Sequence, residues 1–206
     1  NYDKALDLGA EKTADIFVNR GIIHTELGNP NQALADFNTV LLQHPDSAEI
    51  YCLRGLLYKQ MGKLNKALDD FSQALVIDPN IPDAYYSRGI LHQDKEEFNE
   101  AITAYSEAID LNPEYAYAYN KRGEVYFILE EFDKSILDYN QAITIDPKHA
   151  DAYNNRGNLT RKAGDFNRAI NDYSLAIQFD PYQADALYSR GFIYAMQKRY
   201  DDAIQD

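Results

Sequence analysis

The chain has 206 residues, with 33 acidic against 20 basic side chains and a formal charge of −13 at neutral pH. Its 45% hydrophobic and 26% charged content excludes a disordered chain, and the acidity disfavours nucleic acid as a partner. No apolar run approaches the roughly 20 residues of a membrane helix, and the single cysteine, Cys52, excludes an internal disulfide or a paired-cysteine metal or redox motif.

Residues 1–13 read as a partial repeat or capping helix, with Tyr2 in the place of a later aromatic. From residue 14 onward one unit recurs every 34 residues, marked by Arg20-Gly21, Arg54-Gly55, Arg88-Gly89, Arg122-Gly123, Arg156-Gly157 and Arg190-Gly191. The units are 14–47, 48–81, 82–115, 116–149, 150–183 and a truncated 184–206. Each opens with a predicted helix carrying an aromatic at position 4 (Phe17, Tyr51, Tyr85, Tyr119, Tyr153; Leu187 in the last) and the Arg-Gly pair at positions 7 and 8. Position 11 is His24, Tyr58, His92, Tyr126, Thr160 or Tyr194. Apolar spacings of 3, 4 and 7 are those of a helix with one buried face.

A turn follows at position 15. Gly28, Gly62 and Gly164 suit the left-handed residue after a helix, while Glu96, Glu130 and Lys198 stand at the same place in the other units. Pro30 sits at the first position of the next helix, where its missing N–H costs nothing. That second helix carries Ala33, Ala67, Ala101, Ser135, Ala169 or Ala203 at position 20 and Phe37, Phe71, Tyr105, Tyr139 or Tyr173 at position 24. It ends before Pro45, Pro79, Pro113, Pro147 or Pro181, because a proline disfavours helical geometry in the residue before it. Most of the 17 tyrosines fall on these repeating positions. Tyr115 and Tyr182 fall in loops between units and are expected to pack locally.

Aromatic, glycine, tyrosine, alanine, aromatic, alanine and proline at positions 4, 8, 11, 20, 24, 27 and 32 closely resemble the tetratricopeptide repeat, over residues 14–206. The resemblance implies an all-α, right-handed α-solenoid of tandem helix-turn-helix units, whose single repeats are stable only when stacked. It also implies a non-catalytic protein-interaction scaffold that binds a peptide segment of a partner in a groove lined by the first helices.

Several expectations follow for the polar residues. Arginine recurs at position 7, and Asp36, Asp70, Asp138, Asp172 and Asp206 recur at position 23, so an Arg–Asp tie within or between hairpins is expected. Arg88 should be the loosest, because Ala104 replaces its aspartate. Along the groove the early units place Val18, Cys52 and Tyr86 at position 5 and Ile22, Leu56 and Ile90 at position 9. Later units turn polar, giving a candidate peptide-binding groove of Tyr86, Tyr117, Asn120, Lys121, Glu124, Asn154, Asn155, Asn158, Tyr188 and Phe192. No unit pairs Lys at position 5 with Asn at position 9, so the carboxylate clamp by which some members of the family hold chaperone C-termini is not expected. Asp15, Glu49, Asp83, Asp151 and Asp185 at position 2 favour a basic or apolar partner segment instead.

Catalytic, cofactor and metal sites are not expected. His24 and His92 replace core tyrosines, His44 and His149 lack ligand spacing, and Cys52 has no evident base. The lone cysteine and the lack of a signal pattern favour a cytoplasmic setting, although an N-terminus without methionine reads as a fragment whose targeting segment would be lost. Alternatives to peptide binding are self-assembly through the solenoid ends, whose polar caps are lacking, and service as a regulatory segment of a larger enzyme.

Overall fold

The computed structural model of the chain describes residues 13–206; the expected terminal helix at residues 1–12 lies outside them. The described residues form twelve α-helices and no strand. These are α1 (Thr13–Glu26), α2 (Pro30–Gln43), α3 (Ala48–Gln60), α4 (Leu64–Ile77), α5 (Pro82–Asp94), α6 (Phe98–Leu111), α7 (Ala116–Ile128), α8 (Phe132–Ile145), α9 (Ala150–Lys162), α10 (Phe166–Phe179), α11 (Ala184–Met196) and α12 (Tyr200–Gln205). Among the described residues no helix is long and apolar enough to cross a membrane. The architecture is an all-α repeat solenoid. The chain divides into two compact units, Asn1–Glu100 and Ala101–Asp206.

In four hairpins, at Gly21, Gly55, Gly123 and Gly157, the glycine of the first helix meets the aromatic ring of the second. A Cβ built on Gly21 would stand 2.7 Å from the Phe37 ring, and one on Gly157 2.7 Å from the Tyr173 ring. Such distances leave no room for any side chain, so the two helices close to ring-on-backbone contact. Phe37, Phe71, Tyr139 and Tyr173 are in consequence fully buried, beside the alanines Ala33, Ala67 and Ala169. Ser135 departs from that alanine and is accommodated because its buried hydroxyl donates to the Gly123 carbonyl at 2.9 Å. Within a unit, neighbouring hairpins share a core: in the first unit Phe37, Val40 and Leu41 of α2 pack with Ile50 and Leu57 of α3. In the second unit Tyr153, Tyr173 and Ala176 pack with Ala186 and Ile193 of α11.

The Arg–Asp tie is made inside the five hairpins that carry both residues. Arg20 donates to Asp36 through Nε at 2.9 Å and Nη2 at 2.6 Å, and Arg54 to Asp70, Arg122 to Asp138 and Arg156 to Asp172 in the same forked geometry. Arg190 closes the last hairpin on Asp206. The remaining guanidinium nitrogen reaches back to the preceding hairpin: Arg54 Nη1 donates to Asn38 at 2.6 Å and Arg156 Nη1 to Asn140 at 2.7 Å. Arg122 and Arg190 donate likewise to Ser106 and Ser174 at 2.9 Å. The same guanidinium lies over the position-4 ring, 5.3 to 5.5 Å from the centroids of Phe17, Tyr51, Tyr119 and Tyr153. Arg88 keeps the ring contact with Tyr85, at 5.4 Å, but its buried Nε has no hydrogen-bond partner among the described residues.

The left-handed turn is kept where glycine is not. Glu96, Glu130 and Lys198 have φ of 59°, 60° and 63°, against 71°, 70° and 83° at Gly28, Gly62 and Gly164. Tyr182 corrects one expectation: it is 92% exposed rather than packed on its own loop.

Three stability outcomes follow. Arg54→Met strands the nearly buried Asp70 carboxylate and should lower the unfolding free energy by about 2–3 kcal/mol, the low end for breaking a buried pair because the arginine is partly exposed. Arg88→Met should cost less than about 1 kcal/mol, both read from urea melts. Glu96→Gly removes a left-handed strain and should add about 0.5–1 kcal/mol in the same assay.

Candidate functional site

The second unit gathers most of the polar groove candidates. Asn120, Lys121 and Glu124 lie on α7, Asn154, Asn155 and Asn158 on α9, and Tyr188 and Phe192 on α11. Positions on successive first helices face one another here. Asn155 Nδ2 donates to Asn120 Oδ1 and to Glu124 Oε1, both at 3.0 Å, and Asn120 Nδ2 donates to Glu124 Oε1 at 3.1 Å. Lys121 pairs with Glu124 at 2.9 Å. Glu124 is therefore the hub: one carboxylate accepts from two amides and an ammonium.

Beside this network is a cleft of about 450 Å³, lined by Lys121, Glu124, Asp151, Asn154, Asn155 and Gln183, with Ala184 and Asp185 at its edge. Asn154 is 7% exposed, and its Oδ1 is buried without a partner among the described residues. Gln183 crosses from the N-cap of α11 to donate to Asp151 Oδ1 at 2.7 Å, leaving its own Oε1 buried and unpaired. Unpaired buried carbonyls are uncommon, since each forfeits its bond to water.

The other candidates stand apart from this cluster. Asn158 Oδ1 accepts from the buried Tyr173 hydroxyl at 2.8 Å, and that hydroxyl in turn accepts from Arg161 Nε at 3.2 Å, so Asn158 is engaged with the scaffold. Tyr188 and Phe192 are exposed, and Tyr117 is 55% exposed with its ring 4.6 Å from that of His149. Tyr86 lies in the first unit, half-buried on α5. Sequence reasoning missed His149 and Gln183 as neighbours of the groove residues. Both are at position 34, the N-cap of the next first helix, and their signal was only that shared place.

Family models place the architecture. Tetratricopeptide repeat models match residues 15–47 and 48–81, and a TPR repeat model matches 93–129, 123–160 and 157–198. The chain belongs to the tetratricopeptide repeat family. Among solved tetratricopeptide structures, a MamA protein is 30% identical over 80% of this chain and 96% of its own, with a TM-score of 0.71. YrrB, described as a TPR protein with an unusual peptide-binding site, is 23% identical over 92% of this chain and 97% of its own, with a TM-score of 0.70. PilF of Pseudomonas aeruginosa is 17% identical over 99% of this chain and 89% of its own, at 0.83. The last two likenesses are of fold alone. No curated protein sequence matches the chain.

Among the described residues of this tetratricopeptide chain, no group of His, Cys, Asp and Glu is arranged to hold a metal ion. His149, 4% exposed with Nε2 unpaired, has its pKa pushed below the ordinary imidazole value by burial, against the opposing pull of Asp151, Asp146 and Glu124. The unfolded chain therefore takes up that proton at higher pH than the folded chain. Stability from this site is complete above the unfolded value of about 6.5 and is lost as pH falls below it. His149→Phe should flatten that part of the slope in urea melts between pH 7.5 and 5.5.

Proposed function

We propose that this tetratricopeptide chain is a non-catalytic protein-interaction scaffold that takes an extended segment of a partner protein along α7, α9 and α11. The observation that carries the reading is the Asn154 carbonyl, buried without a partner at the wall of the cleft. A peptide lying across the cleft would bring backbone N–H donors to a wall that has an acceptor to spare, and the Glu124 network would hold the neighbouring amides in place for it. Exposed Tyr117 and Tyr188 offer rigid aromatic surface at little entropic cost on either side. Asp151 and Asp185 at the rim outnumber Lys121, which is already paired with Glu124, so a segment with basic or apolar character fits better than a terminal carboxylate. YrrB, which shares the fold, has a peptide-binding site of its own.

Peptides selected from a displayed library on the intact chain test this reading. The triple variant Tyr117→Ala/Asn154→Leu/Asn155→Ala should bind them at least tenfold more weakly with unchanged circular dichroism; equal affinity would reject the site. Asn154→Leu alone replaces an unpaired amide by an apolar group of similar shape and should gain about 1 kcal/mol of stability while binding declines.

A further inference from the structure

The first unit holds a pocket of different chemistry. Between α3 and α5, with the loop before α5 as its side, is a cavity of about 380 Å³. Its floor is apolar, made by Cys52, Leu56, Phe71 and Ile81, and its rim carries Glu49, Asp78 and Asp83. Among the described residues, no basic one lines it. In the second unit the comparable cleft contains Lys121, which already answers Glu124; the corresponding positions on α3 and α5 are Leu53 and Ser87. Leu56 is left 48% exposed there. The Cys52 thiol reports the local environment, since burial first and then Asp83, Asp70, Glu49 and Asp78 push its pKa up to about 11.

Three classes of side chain can be weighed against this pocket. An aliphatic residue would cover the floor but desolvate the carboxylates with no compensating charge. An acidic residue would be repelled by the rim. A long cationic residue answers both parts, laying its methylene stem on the apolar floor and its charge among the carboxylates. We propose that the pocket framed by Cys52, Leu56, Glu49, Asp78 and Asp83 is a subsite for one arginine or lysine side chain of a partner segment. The inference shares with the proposed function the reading of the chain as a scaffold for partner segments, and it uses none of the second-unit residues.

Cys52 is the chain's single cysteine, so its modification reads occupancy of the pocket directly. The rate of Cys52 alkylation by the neutral reagent N-ethylmaleimide at pH 9 is measured in the presence of Ala-Ala-Xaa-Ala-Ala amides with arginine, lysine, citrulline or glutamate at Xaa. Arginine and lysine peptides should protect saturably at concentrations at least tenfold lower than the citrulline peptide, and the glutamate peptide should not protect. Glu49→Gln/Asp83→Asn, at two exposed positions, should reduce arginine to the citrulline level. Equal protection by arginine and citrulline, or none by any peptide, would overturn the proposal. So would an arginine preference that survives the double substitution, because the overall charge of the chain would then be its source. Repeating the assay on Tyr117→Ala/Asn155→Ala separates the two sites: protection of Cys52 should be unchanged even if second-unit binding is lost.

Discussion

The contact on which everything else in this molecule depends is that of a glycine backbone against an aromatic ring. At Gly21 and Phe37, and at Gly157 and Tyr173, the space where a Cβ would stand is already taken by ring carbons. A hairpin closed that tightly presents a flat, alanine-lined second helix to its neighbour, and the next hairpin packs on it. The core is therefore local, a series of clusters such as Phe37 with Ile50 and Leu57, or Tyr173 with Ala186 and Ile193, rather than one global interior.

In five repeats the arginine converts that closeness into a fixed geometry. Its fork onto aspartate spans the two helices of one hairpin, and in four of them another nitrogen holds the hairpin before, as Arg54 does with Asp70 and Asn38 while its face lies on Tyr51. Buried ion pairs add little net stability over apolar packing, so their contribution here is one of orientation. Five of the six guanidiniums are thus committed to the scaffold. The first helices are left to present positions 5, 6 and 9, where neither the ring contact nor the fork makes any demand, and there the composition varies from repeat to repeat.

That division explains how much was legible in advance. The Arg–Asp tie was readable because both partners recur in register, and Arg88 stood out because Ala104 breaks the pattern. The third bond escaped notice because Asn38, Ser106, Asn140 and Ser174 look like ordinary surface residues until an arginine 16 positions later is seen to reach them. Two departures from the repeating residue, Ser135 and Thr160, are accommodated by hydroxyls that donate to the carbonyls of Gly123 and Gly157. In the candidate site, the asparagines were named from their positions alone. Their differing fates, with Asn158 bonded to Tyr173, Asn155 to Asn120 and Asn154 to nothing through its carbonyl, were not visible.

By itself the sequence determined the fold family, the helix-turn-helix unit and the helix ends, because these rest on a 34-residue period and on local chemistry: helical spacing, turn residues and proline. Left-handed geometry at Glu96, Glu130 and Lys198 shows how firmly the period holds even where the preferred residue is missing. Only the tertiary structure decided which polar atoms are satisfied and where cavities open. Those properties arise where side chains some thirty residues apart meet, as Gln183 meets Asp151 and Asn155 meets Glu124, and where Cys52 is enclosed by residues from two repeats. A period in sequence says which faces come together; the pairing of individual atoms across them depends on the distances that packing sets.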